Sequence, residues 1–378
     1  MIAAGDAAVG LTADLVGIDS VNPGLVSGAA GERRIVDHLR SRLDRAGFAS
    51  TVVPAAGDAD RPSLVAVPAG PATGPTVLLN GHLDTVGVAG MVEPFTPRVE
   101  GDRLRGRGAA DMKAGMAAAV VAAERLAASG APVRAVLALT ADEENANLGC
   151  EAVIGALAGL GVSPDVCLVA EPTDLALARS LRGFAVVRVT FAGRAAHSSQ
   201  PELGTNAVTH LGRFLAAVDE RAAAVRRIGG DLMATVARGG ESPFVVAAYA
   251  ECLVERRTVP GERARDVLTE VRELLYPSWH AAAELVTHRD AWQLDHEGTA
   301  AELAGRLGDE LGTGPTFDAP YWMEASLWQQ VCPTLVCGPS GGGLHAVDEW
   351  VDLGQVRAFV SALMAVLAAP STWWRDAD

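Results

Sequence analysis

The sequence predicts an α/β protein, with a larger domain built on a mixed sheet flanked by helices and a ferredoxin-like βαββαβ insert. Three observations predict it. Amphipathic helical runs alternate with short β-rich runs up to about residue 170, and near residue 180 the order changes to strand, helix, strand, strand, helix, strand. Five imidazole or carboxylate side chains, His82, Asp111, Glu144, Glu171 and His345, also fall where strands or loops end.

Helical spacing in Leu11 to Ile18 and Glu32 to Ala46 is interleaved with β-rich runs at Ser50 to Val53, Ser63 to Val67 and Thr76 to Leu79. The rhythm continues as helix Met112 to Ala128, strand Val133 to Leu139, helix Glu151 to Leu160 and strand Val166 to Val169. The insert reads as strand Ala185 to Phe191, helix Asn206 to Arg226, strands Leu232 to Ala237 and Val245 to Glu255, helix Glu262 to Leu275 and strand Ala283 to Thr287. The expected boundaries are 1–179 and 290–378 for the larger domain and 180–289 for the insert. A chain of 378 residues exceeds one ordinary domain.

In such sheets the ligand crevice lies beyond the carboxyl ends of the strands, which is where the candidate residues fall. His82 follows the apolar run Val77-Leu78-Leu79, and Asp84 is spaced to hydrogen-bond its imidazole from behind. Asp111 sits between Gly106-Arg107-Gly108 and a helical run, so its carboxylate lies at an expected helix N-terminus and has two oxygens to share between cations. Glu143 and Glu144 follow a buried strand. Adjacent carboxylates there repel unless a metal takes one and the other works as a base. Taken singly, His82 with Asp84 is a chance pair, the two glutamates are solvated surface and His345 is a loop histidine. Their order and context together select the metal reading.

These blocks resemble the M20-type dinuclear zinc metallopeptidases and amidohydrolases, the family of acetylornithine deacetylase, succinyl-diaminopimelate desuccinylase, aminoacylase and carboxypeptidase G. The resemblance rests on Gly81-His82-Leu83-Asp84-Thr85, on Gly106 to Lys113, on Thr140-Ala141-Asp142-Glu143-Glu144 and on Glu171-Pro172-Thr173. Ala196-His197-Ser198-Ser199-Gln200-Pro201 with Gly204-Thr205-Asn206-Ala207, and Gly338-Pro339 with His345 and Asp348-Glu349, extend it over residues 10 to 365. Trp322-Met323-Glu324-Ala325 is most similar to the acetylornithine deacetylase branch. Ala114, where the family usually has glycine, and the Gly341-Gly342-Gly343 run are departures.

The resemblance implies a catalytic metal-binding domain and a dimerisation, or lid, insert. It assigns His82 and Glu171 to one metal, Glu144 and His345 to the other and Asp111 to both, with a cis peptide at Asp111-Met112. Two Zn²⁺ suit this donor set, and Co²⁺ or Mn²⁺ are alternatives. The implied activity is hydrolysis of the amide of a small N-acyl amino acid by a water bridging two metals, with Glu143 as general base and Asp84 behind His82. His197 is either an oxyanion donor to a partner subunit's site in a homodimer or a strand-end histidine bonded locally. Asn206 is either a substrate contact or the N-cap of its helix. Arg257 matches a carboxylate-binding arginine, its neighbour Arg256 facing the other way. Glu324 either selects the substrate or bonds nearby backbone amides. Dipeptidase, aminoacylase and desuccinylase activities, and an inactive binding module, are the rival functions.

Net charge is −15, from 46 acidic against 31 basic residues, and no basic stripe suits a phosphate backbone, so nucleic acid is excluded as a partner. Five cysteines in mostly apolar stretches read as buried thiols of a cytoplasmic protein. The start of the chain lacks a basic segment and carries Asp6 and Asp14, which does not fit a signal peptide. The apolar run Met116 to Ala128 is too short to span a bilayer, so no membrane partner is expected. Lys113, the single lysine, reads as a first-turn surface residue.

Overall fold

The structure, a computed structural model, describes residues 2–70 and 74–374. The chain forms two compact units. One comprises Met1–Arg179, Leu294–Phe317 and Met323–Asp378, and the other Ser180–Gln293 with Asp318–Trp322.

The first unit is organised by a six-stranded sheet in the order Phe48–Ala55, Asp58–Pro68, Arg134–Thr140, Thr76–His82, Val166–Val169, Thr334–Val336. The last four strands run parallel, and the first two form an antiparallel hairpin on one edge, so the sheet is mixed. Strand Thr76–His82 is buried along its whole length. A near-continuous Val/Leu run is what a parallel strand covered on both faces requires.

The Ala-rich helix Ala114–Ser129 is buried at every residue from Ala114 to Ala123. Small side chains let it lie close against the sheet. At Gly115 a Cβ would run into the Ala170 carbonyl oxygen. The sequence places this helix from Met112, but Asp111 (φ −115°, ψ 97°) and Met112 (φ −126°, ψ 33°) are not helical and the peptide between them is cis. The carboxylate of Asp111 therefore belongs to an irregular turn ahead of the helix. Lys113 corrects a second expectation: it is buried, with Nζ donating to the Ile18 carbonyl at 2.8 Å, and burial pushes its ammonium down to about 7.

A small antiparallel sheet closes the unit, in the order Gly341–Gly342, Trp350–Asp352, Arg103–Arg105, Arg98–Glu100. The glycine run serves this strand. A Cβ at Gly341 would meet the Trp350 carbonyl, and Gly343 (φ 69°) turns the chain toward His345. Helices Thr299–Leu311 and Leu353–Leu367 belong to the same unit and lie outside the elements expected from the sequence.

The second unit is the expected βαββαβ. Its strands order as Asp231–Gly239, Tyr249–Thr258, Gly183–Ala192, Ala281–Arg289, all antiparallel, with helices Ala207–Arg227 and Ala264–Glu273. Alternate residues of Gly183–Ala192 are buried, and Val187, Val189 and Phe191 pack with Phe214 and Val218 of the longer helix in a separate core. All five cysteines are free and buried. Among the described residues no helix is long and apolar enough to cross a membrane.

Candidate metal centre

Parallel strands that end together deliver their following residues to one edge. His82 is the last residue of its strand, Glu143 and Glu144 follow Thr140 of the neighbouring strand, and Glu171 follows Val169 of the strand on the other side. The small sheet carries the segments of Asp111 and His345 to the same edge.

Asp111 lies between the two imidazoles. Its Oδ1 is 3.0 Å from His82 Nε2 and its Oδ2 is 3.1 Å from His345 Nε2. Glu171 Oε1 is 3.9 Å from His82 Nε2, and Glu144 Oε2 is 3.2 Å from His345 Nε2. Donor atoms of His82, Asp111 and Glu144 lie within 4.8 Å of one another, as do those of His82, Glu143 and Glu171. All the expected ligands of this unit are thus brought together, and Glu143 stands among them. His345 is the exposed member, at 54% of its side chain, and holds a left-handed φ of 61°. A non-glycine residue in that region is uncommon, and histidine is among the types that tolerate it.

The electrostatics of the cluster favour positive charge. Burial, and after it the charge of neighbouring carboxylates, raises the carboxyls of Glu143, Glu144 and Glu171 against the opposing pull of the imidazoles. Burial raises Asp111 as well, but there the hydrogen bonds with His345 and His82 outweigh it and hold that carboxyl below its usual range. The Oε1 atom of Glu144 is buried with no hydrogen-bond partner. An orphaned carboxylate oxygen facing imidazole and carboxylate donors fits a pair of divalent cations.

Asp84 acts through atoms other than those its spacing suggests. His82 Nδ1 lies 3.0 Å from the main-chain carbonyl of Asp84, whereas the carboxylate is 3.8 Å away. That carboxylate instead accepts the backbone N–H groups of Glu143 at 3.1 Å and Glu144 at 3.2 Å. The physical reason is that amides just past a strand end have lost their ladder partners, and a buried carboxylate is their strongest available acceptor.

Glu349, for which the sequence offers no role beyond its place in the Asp348-Glu349 block, organises the Asp111 turn. Its carboxylate accepts the N–H groups of Gly108, Ala110 and Asp111 at 3.0, 3.0 and 3.1 Å, and Arg107 Nη1 at 2.7 Å. Arg107 Nη2 also donates to the carbonyl of Ala346, beside His345, at 3.0 Å. One buried ion pair thereby ties the segments of Asp111 and His345 together. Its sole trace in the sequence is the Asp348-Glu349 pair.

Glu324 is buried at the edge of the same sheet, where its Oε2 accepts from Thr140 Oγ1 at 2.8 Å and Asn80 Nδ2 at 3.2 Å. Its partners are side chains, where backbone amides were the expected alternative. Its Oε1 is buried without a partner, and burial raises the carboxyl to about 7.

The remaining candidates belong to the second unit. His197 is exposed; its Nδ1 accepts the Ser199 N–H at 3.2 Å, which leaves Nε2 as the protonated nitrogen. Asn206 caps helix Ala207–Arg227, its side chain accepting from the amides of Val208 and Thr209. Arg257 pairs with Glu255 at 2.7 Å and lies over the ring of Phe184. Arg256, on the opposite face, is buried against Glu262 and Glu270.

The profile of peptidase family M20/M25/M40 matches residues 78–369, a span that holds every candidate residue above. The acetylornithine deacetylase of Myxococcus xanthus is 31% identical over 88% of this chain and 91% of its own length. The succinyl-diaminopimelate desuccinylase of Dinoroseobacter shibae is 30% identical over 92% of this chain and 95% of its own. Two solved structures share the fold. A tripeptidase from Staphylococcus aureus superposes with a TM-score of 0.77 at 17% identity, over 96% of this chain and 98% of that one. A Bacillus subtilis protein described as a dinuclear metal binding peptidase of the M20 family superposes with a TM-score of 0.73 at 15% identity, over 98% of both chains. With three of the five candidate ligands grouped at the ends of parallel strands and the other two brought to them by the small sheet, the chain belongs to peptidase family M20/M25/M40 and is a hydrolase of that family.

Proposed function

We propose that this protein hydrolyses the amide bond of a small N-acyl amino acid, with an N-acetyl amino acid of the acetylornithine type as substrate. The observation that carries the reading is the placement of Asp111, one carboxylate oxygen beside each imidazole, with Glu143 in the same cluster. His82 and Glu171 would hold one divalent ion, Glu144 and His345 the other, and Asp111 both. Zinc suits this donor set, and cobalt or manganese are compatible with it. When bound, such ions polarise the scissile carbonyl and lower the pKa of water. Glu143 takes the proton from the attacking water and returns it to the amine nitrogen as the C–N bond breaks.

Substrate recognition is assigned to Glu324 and to the second unit. A buried acid at Glu324 disfavours a second substrate carboxylate, which favours acetyl over succinyl and a neutral or cationic side chain over an acidic one. Arg257 would grip the α-carboxylate, for which a planar guanidinium is suited. Asn206 Oδ1 is committed to its helix, so a substrate contact there falls to Nδ2. His197 Nε2 would serve as an oxyanion donor in the site of a second copy within a homodimer. Five buried free thiols support a cytoplasmic location.

The test is a turnover screen of N-acetyl, N-succinyl and N-carbamoyl amino acids with zinc- or cobalt-loaded protein. The reading expects N-acetyl substrates to have the highest kcat/KM. A preference for N-succinyl substrates supports the desuccinylase reading, which the relative at 30% identity keeps specific.

A further inference from the structure

The turn that carries Glu143 and Glu144 is braced from the N-terminal segment of the first unit. Asp142, immediately before Glu143, has φ 68°, left-handed for a non-glycine residue, so its neighbours must hold it there. Its Oδ1 is 2.9 Å from Arg61 Nη1, and its Oδ2 accepts the Leu148 N–H at 3.4 Å. Arg61 is fixed from behind by both carboxylate oxygens of Glu32, with Nε at 2.9 Å from Oε2 and Nη2 at 2.5 Å from Oε1. Asp84 holds the other side of the turn through the amides of Glu143 and Glu144.

Asn22 joins the two sides. Its Nδ2 donates to Asp84 Oδ2 at 2.7 Å and to Asp142 Oδ1 at 3.1 Å. Its orientation is set independently, because its Oδ1 accepts the Gly24 N–H at 2.8 Å and its own N–H donates to the Thr85 carbonyl at 2.9 Å. Asn22, Asp84 and Asp142 are each fully buried. Two buried carboxylates on one small group repel each other. A neutral amide with two N–H bonds is the group that satisfies both without adding charge.

The geometry assigns Asn22 as a positioning residue for amide hydrolysis: it holds Asp84 and Asp142 at a fixed separation, and through their backbone contacts it aims the Glu143 carboxylate and the Glu144 ligand. The catalytic half of this assignment rests on the proposed role of Glu143. The geometric half does not. A residue that merely filled the core would not end its hydrogen-bond chain on the two amides of one loop.

The experiment compares Asn22→Ala and the isosteric Asn22→Asp, which replaces the donor by an acceptor, with wild type and with Val360→Ala, a buried site in helix Leu353–Leu367. Amide hydrogen exchange is followed at Glu143 and Glu144, and kcat and KM are measured at saturating zinc. Both Asn22 variants should exchange at those two amides at least about tenfold faster, and kcat should fall by about 10- to 100-fold with KM within about threefold. Val360→Ala, with a comparable loss of thermal stability, should change neither. Exchange at Glu143 and Glu144 equal to wild type, or no faster than in Val360→Ala, overturns the brace. Faster exchange with unchanged kcat overturns its catalytic role. Exchange is readable in any folded variant, so absence of turnover in wild type would count against the proposed N-acyl amino acid substrate and leave the exchange result standing.

Discussion

Asp111 Oδ2 lies 3.1 Å from Nε2 of His345, a residue 234 positions further along the chain. The contact exists because strand Trp350–Asp352 pairs with Arg103–Arg105, and because Glu349, at the head of that strand, collects three amides of the Asp111 turn. A cation-sized site assembled from such distant segments depends on the tie between them.

Weakening the tie should therefore weaken metal binding. Glu349→Gln keeps the size of the side chain but leaves buried Arg107 without its counter-charge and offers the amides a neutral acceptor. Zinc affinity, measured by competition with a chelator, should fall by about 10- to 100-fold, the usual cost of losing a group that orients a ligand. Unchanged affinity would show that the Asp111 turn holds itself.

Glu324 makes a pH-dependent contribution with a defined sign. Burial raises its folded pKa to about 7 from an ordinary 4.5. The folded protein thus keeps a proton that the unfolded chain releases. The stabilisation is fully present below pH 4.5 and is lost as pH rises through 7, a change on the order of 3 kcal/mol. In zinc-free protein, wild type should lose stability relative to Glu324→Gln between pH 5 and pH 8 in urea unfolding. A difference that stays constant with pH would mean that Glu324 is ionised throughout.

Much of the site is legible in the sequence because its ligands follow apolar runs that have no alternative to being buried strands. His82, Glu144 and Glu171 announce themselves in that way, and the βαββαβ order of the insert follows from plain alternation. What escapes is the hydrogen-bond partner supplied by a distant segment. Glu349 and the carboxylate of Asp84 accept N–H groups from other segments, and Asn22 donates its own amide to two distant carboxylates; such partners have no period in a sequence. Lys113 escapes for the opposite reason: a first-turn lysine is normally solvated, and only the fold shows the Ile18 carbonyl that receives it. Helix Leu353–Leu367 is hidden because its apolar residues are interrupted by too few polar ones to mark a face, whereas Thr299–Leu311, with Ala300, Leu303, Ala304, Leu307 and Gly308 buried, carries a helical period that the sequence reading passed over.

His197 should work in the site of a second subunit. Mixing His197→Ala with Glu143→Ala protein should restore activity, because some heterodimers then pair an intact His197 with an intact metal site. The expected ceiling is about a quarter of wild-type turnover, from the fraction of sites so paired in random dimers. No recovery after demonstrated subunit exchange would place His197 in its own subunit's site or outside the reaction.

The division of labour between adjacent Glu143 and Glu144 is the centre of the account, and Glu143→Ala tests it most directly when kcat and bound zinc are measured on the same sample. Only proton transfer should be lost, so kcat should fall by about 10² to 10⁴ while two zinc ions per chain are retained. Loss of a zinc ion together with activity would make Glu143 a ligand alongside His82 and Glu171, and would contradict its role as the base.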